Sequence, residues 1–185
     1  KVVAIIKGQE SVDAISEGEQ GIIVLETTPF YAESGGQVGD TGAISTPSST
    51  FAVQTTNKNE DGHFLHIGTM EEGELRVGDT VSADIDAEAR KAIMRNHTSA
   101  HLLQAALREV LGDHVHQAGQ LVNASACRFD FSHFAALTAE ELEAVENIVN
   151  EKIHSAIPVT MQEMAIEDAK NMGAMALFGE KYGDV

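Results

Sequence analysis

The segment DAEARKAIMRNHTSAHLLQAALREVLG, Asp86–Gly112, decides how the chain is read. Asp86 has the short carboxylate that accepts free amides at a helix start, and Gly112 suits the residue after a helix end. Between them Ile93, Ala100, Leu103, Leu107, Val110 and Leu111 recur at helical spacing, which predicts a helix over Ala87–Leu111. Before Asp86 the pattern differs. Val2–Ile6, Gly21–Thr28, Ala43–Ser45, Phe51–Thr56, Phe64–Ile67 and Thr80–Ile85 are short runs of β-favouring residues. Gly35-Gly36, Gly39-Asp40, Pro47 and Gly78-Asp79 punctuate them, and many short strands at close spacing predict a small barrel or sandwich.

Past Gly112, strand-like Ala126–Phe131 and Val159–Met164 flank a second helix. Its start, Thr138-Ala139-Glu140-Glu141, is a capping box, and Leu142, Val145, Val149 and Ile153 form its stripe. A short helix near Glu167–Met172 follows. The expectation is an α+β chain, with a small β-barrel-like module over 1–85 and an α+β module over 86–185.

The chain has 185 residues, 12 basic against 29 acidic, for a net charge of −17. A hydrophobic share of 43% argues against wholesale disorder. The longest apolar runs, Val2–Ile6 and Ala174–Phe178, fall far below the roughly 20 residues of a membrane-spanning helix. One cysteine, Cys127, excludes an internal disulfide framework and any all-thiolate zinc site, so a reducing cytoplasm is expected. The chain opens Lys1-Val2-Val3 without Met, within a strand-like run, which reads as a cut inside a longer protein. The acid excess argues against a polyanionic partner. Ala89–Arg108 is the exception, with Arg90, Lys91, Arg95 and Arg108 and no acid. Chance clustering on a solvated helix is the competing reading.

No phosphate-binding Gly-Lys-Ser/Thr loop, dinucleotide glycine fingerprint, His-Glu-x-x-His, Cys-x-x-Cys or nucleophile elbow occurs. His97 and His101, four apart on the predicted helix, lie about 40° apart around its axis and roughly 6 Å along it. Two neutral imidazoles so placed supply two corners of a zinc tetrahedron, although such spacing also arises between unrelated histidines. Cys127, His114, His116 and His133 are poor candidates for the remaining corners. The loop Thr28–Gln37 carries Glu33 and the pair Gly35-Gly36, which lets backbone approach a ligand closely or simply closes a hairpin. Gln117, in a Gly-containing stretch, is either structural or able to orient a carbonyl or water.

Four motifs occur in order: TPFYAESGGQ (28–37), RNHTSAHLL (95–103), RFDF (128–131) and GAMALFGEKYGD (173–184). Together they resemble, over essentially the whole chain, the editing region of bacterial alanyl-tRNA synthetases. The histidine segment alone is also similar to free-standing alanyl-tRNA editing proteins and the threonyl-tRNA synthetase editing domain. The resemblance implies an α/β sandwich of that editing type for the second module. It also implies an activity that hydrolyses the ester of tRNA(Ala) mischarged with serine or glycine. A pocket built for alanine rejects neither by a large factor, so a second site has to remove the errors.

By the same resemblance, zinc sits on His97 and His101 plus a Cys-x-x-x-His pair expected beyond Val185, so the 86–185 module is truncated before its C-terminal metal ligands. Gln117 matches the pocket glutamine, and Ala100 stands where many relatives have Thr. Glu33, Gly35, Gly36 and Gln37 would position the aminoacyl group, while Arg90, Lys91 and Arg95 would neutralise phosphates at the single-stranded 3′ end. ATP and Mg2+ belong to other domains of a parent alanine–tRNA ligase. A free-standing trans-editing hydrolase and a non-catalytic tRNA- or metal-binding module are the alternatives.

Overall fold

The computed structural model describes residues 1–173. Ala174–Val185, which hold most of the fourth motif and the second apolar run, lie outside the described residues. Residues Lys1–Asn150 form one compact unit and Glu151–Val185 another.

The first unit opens with β1 (Val2–Lys7), β2 (Glu10–Val12), β3 (Ala14–Ser16), β4 (Gln20–Leu25), β5 (Gly42–Thr46), β6 (Ser49–Lys58), β7 (Phe64–Glu72), β8 (Glu74–Arg76) and β9 (Ser82–Ile85). Seven of these form an antiparallel sheet in the order β2-β1-β4-β7-β6-β5-β9. Its inner face alternates as a half-buried sheet requires: Ile5, Ile23, Ile44, Phe51, Val53 and Met70 are buried together. Ile15 and Leu75, from the separate β3–β8 ribbon, complete that core.

The expected barrel does not close. Among the described residues β2 and β9 are edges of an open sheet, with three and four residues respectively. Closure needs first and last strands long enough to pair at a consistent stagger, and the β3–β8 ribbon instead supplies the missing apolar cover. The three-residue strands β2, β3 and β8 are too short to register as periodic runs in sequence.

Helix α1 spans Ala87–Leu111, and the Asp86 side chain accepts from the amides of Glu88 and Ala89. Its 25 residues run about 37 Å at 1.5 Å per residue. Beyond it, β10 (Gln117–Val122) and β11 (Cys127–Phe131) form an antiparallel ribbon. Helix α2 (Ala139–His154) carries the expected capping box: Thr138 N–H donates to Glu141 Oε2, and Glu141 N–H to Thr138 Oγ1. Ala106, Leu107, Val115 and Val145 are the buried centre of a second core, with Phe129 and Phe131 packed on it.

In the second unit α3 (Ile166–Asn171) is the short expected helix. Val159–Met164 is not a strand: Val159 and Met161 are 84% and 96% exposed, and strand propensity has no effect without a ladder partner.

Candidate active site on helix α1

Helix α1 is tied to the sheet module by polar contacts at its N-terminal end and packs into the second core with its C-terminal half. Its middle turns carry the histidine motif. At the entry, Asp86 N–H donates to Thr41 O, and Arg90 grips Asp40 with Nε 2.7 Å from Oδ1 and Nη2 on Oδ2. Asp40 is 2% exposed. Its Oδ2 also accepts from the Tyr31 amide at 2.7 Å, its carbonyl accepts from Thr56 Oγ1, and Arg90 lies 6.0 Å from the Tyr31 ring. The hydrogen bond to Asp40 raises the Arg90 pKa above its ordinary value, so the guanidinium stays charged.

Nearly two turns on, Asn96 Nδ2 donates to Asn123 O at 2.8 Å, fixing the helix to the end of β10. His97 Nδ1 lies 2.7 Å from Gln37 Oε1. A carbonyl oxygen only accepts, so Nδ1 carries the proton and Nε2 keeps a free lone pair. The His97 and His101 rings stack 5.3 Å apart and 8° from parallel. Burial, and secondarily the His101 charge, lower the His97 pKa below 6.5, which keeps the imidazole neutral at pH 7. His101 is exposed, and Ala100 between them is buried.

The loop bearing Gln37 is set from both ends. Upstream, His66 is fully buried: Nδ1–H donates to Ile23 O, and Nε2 accepts from Thr28 Oγ1 at 2.7 Å. Thr28 Oγ1 in turn accepts from the Phe30 amide. Downstream, Gln37 is 6% exposed and bridges in parallel to Val122, while Val122 N–H donates to Gly36 O at 2.7 Å. Gln120 Nε2 donates to Gly35 O. A Cβ on Gly36 would lie 2.5 Å from Gln120 Cγ and 2.6 Å from its carbonyl oxygen, and φ there is +78°. Only glycine fits this close approach.

The sequence-predicted residues therefore gather in part. Gly35, Gly36 and Gln37 rest on the strand that Gln117 begins, and Gln37 touches His97. Glu33 is exposed on the same loop, with its amide on Thr56 O. Arg90 is held by Asp40, Lys91 pairs with Glu88, and Arg95 is exposed with no ion pair among the described residues. His114 pairs with His133, Nε2 to Nδ1 at 2.9 Å, with Phe134 stacked on it. Asp40, His66, Asn96 and Asn123 are positioning residues that sequence reading missed. Buried polar partners of this kind have no periodic signature.

Burial pushes the His66 pKa down from 6.5, partly offset by the Ile23 carbonyl. The folded state thus prefers neutral imidazole. The contribution of His66 to stability is full above 6.5, erodes as pH falls through that unfolded value, and is gone below the lower folded pKa, where the loss levels off. Urea midpoints are expected to fall between pH 7.5 and 5.5, and His66→Gln should flatten that slope. An unchanged slope in the variant would remove His66 as its source.

Two imidazoles fit a metal as two ligands, with Gln37 as the outer partner that orients one of them. Among the described residues no third His, Cys, Asp or Glu completes the set.

The site is thus a helix bearing a histidine pair, locked to a glycine loop of an antiparallel sheet. Residues 1–89 match the family described as tRNA synthetases class II (A). The whole chain aligns at 54% identity with the alanine–tRNA ligase of Acetivibrio thermocellus, and at 53% with those of Pseudomonas fluorescens and Delftia acidovorans. Through residues 1–89 the chain is similar to the class II tRNA synthetases. The members it matches from end to end are alanine–tRNA ligases, of whose length it spans 21%.

Proposed function

We propose that this chain is the editing region of an alanine–tRNA ligase and hydrolyses tRNA(Ala) mischarged with serine or glycine. The observation that carries this reading is the 2.7 Å bond from His97 Nδ1 to buried Gln37. It joins the two motifs that resemble the editing family and leaves His97 Nε2 as a neutral, oriented lone pair.

Hydrolysis adds water across the ester: hydroxyl goes to the carbonyl carbon, and the proton ends on the departing ribose oxygen. Gln37 fixes the His97 tautomer, the Gly35-Gly36 backbone and the Gln117 amide orient the aminoacyl group, and buried Ala100 leaves that part of the pocket without a hydroxyl. Lys91 and Arg95 take phosphates. Zinc, held by His97, His101 and two ligands outside the described residues, would polarise the ester or its water when bound. The parent protein joins alanine to tRNA(Ala) with ATP and Mg2+ in other domains and works in the cytoplasm. No described helix is long and apolar enough to cross a membrane.

The test is release of labelled serine from Ser-tRNA(Ala) by the full-length ligase, against Ala-tRNA(Ala) as control. Preferential loss of the serine ester is expected. An intact serine ester would overturn the reading in favour of a non-catalytic tRNA- or metal-binding module.

A further inference from the structure

The loop that reaches His97 has a second side. Tyr31 and Glu33 line a cleft of about 390 Å³ whose other wall is Lys58, Asn59 and Phe64, within the roughly 300–1,000 Å³ range of small-ligand sites. Lys58 and Phe64 are the last cross-strand pair of β6 and β7, and the Lys58 ammonium sits 5.4 Å from the Phe64 ring centroid. In the sheet module Lys7 and Arg76 are neutralised by Glu19 and Glu74, whereas Lys58 has no carboxylate within ion-pair distance among the described residues. A cation with no carboxylate partner, in a chain of net charge −17, thus stands over the Phe64 ring in a cleft that Tyr31 also lines.

The polar groups complete a pattern. Asn59 Oδ1 accepts from the His63 amide, which leaves its NH2 free to donate. Glu33 is an exposed carboxylate, and a carboxylate accepts from the exocyclic amine of cytosine or adenine. Aromatic faces plus a lysine are the means by which proteins hold single-stranded bases and their phosphates. From this cleft the chain turns once, through the Ser34–Gln37 bridge, to the residue that touches His97.

From this arrangement we infer that the Tyr31–Lys58–Phe64 cleft is a nucleotide subsite. It stacks an amine-bearing base of single-stranded RNA against Tyr31 or Phe64 and sets that nucleotide's phosphate on Lys58. Adjacent to the proposed ester-hydrolysing site, it holds a nucleotide next to the aminoacylated one, and it rests on the editing reading for that placement.

The experiment is an NMR titration of the chain with unacylated 5′-ACCA-3′ RNA, which needs no hydrolysis, alongside 5′-AUUA-3′. Shifts are expected at Tyr31, Asn59 and Phe64, with weaker binding of the uracil-containing strand. Lys58→Ala should weaken binding about tenfold and reduce the salt slope by about one, Lys58→Arg should restore it, and Lys152→Ala should leave it unchanged. Shifts that map elsewhere, or binding indifferent to Lys58→Ala, overturn the subsite. Ser-tRNA(Ala) hydrolysis with the same KM in Lys58→Ala would also overturn it while leaving editing intact. Cleft binding together with an unhydrolysed serine ester would support the subsite and refute editing.

Discussion

His97→Ala in the full-length ligase is expected to cut hydrolysis of Ser-tRNA(Ala) by about a hundredfold or more, with the fold retained. The substitution removes the Nε2 lone pair and also the Nδ1–H that donates to Gln37 at 2.7 Å. Structurally the cost is modest. His97 is half-buried on the middle turns of α1, and the main loss is its hydrogen bond to buried Gln37, about 1–3 kcal/mol because the Gln37 oxygen is left without its donor. Deacylation rate and thermal midpoint should therefore separate. Gln37→Leu gives the graded control: it keeps the imidazole but releases its tautomer and orientation, and a loss of roughly 10- to 100-fold is expected. Global unfolding of His97→Ala would assign His97 to structure, and unchanged hydrolysis would remove it from the chemistry.

The contrast between His97 and Gln37 also shows what could be read in advance. α1 was legible because its signals are local: a capping Asp86, a closing Gly112 and apolar residues at helical spacing. The capping box at Thr138 was legible for the same reason, and both hydrogen bonds of that box are present. β10 was not. Gln117–Val122 holds a glycine, an alanine and two glutamines, and becomes a strand only because β11 pairs with it and Gly36 docks on it. The barrel-like reading of 1–85 holds for the antiparallel strands and fails at closure, for a physical reason. Alternation reveals that one face is buried but not what buries it, and here the β3–β8 ribbon does part of that work. At the site, the residue types were legible and their wiring was not. Nothing in an Asp after a glycine reveals that Asp40 will be buried under Arg90, since the two are 50 positions apart.

Arg90→Ala is expected to lower stability by about 3 kcal/mol, a fall of roughly 6–12 °C in Tm for a chain of this size. The physical reason is asymmetric burial. Arg90 is 24% exposed in its side chain, but Asp40 is 2% exposed, and without the guanidinium its buried carboxyl group keeps only the Tyr31 amide as a partner for its side chain. Asp40→Asn should therefore cost less than Arg90→Ala, because the charge leaves with the substitution and an amide oxygen still accepts from Tyr31. Combining them should be milder than the sum, with the Asn rescuing part of the Arg90→Ala loss, and a double-mutant cycle of thermal midpoints measures that coupling. The same cycle decides between two roles for Arg90. A phosphate contact would leave Tm near wild type and reduce the salt slope of tRNA binding by about one. A clamp lowers Tm, uncouples from salt, and loosens the Tyr31–Gln37 loop, so serine release should slow even below the new midpoint. The bidentate grip on a buried carboxylate favours the clamp. It follows that the basic stretch Ala89–Arg108 offers a polyanion mainly Lys91 and Arg95, with the first of its cations already committed to holding the sheet against the helix.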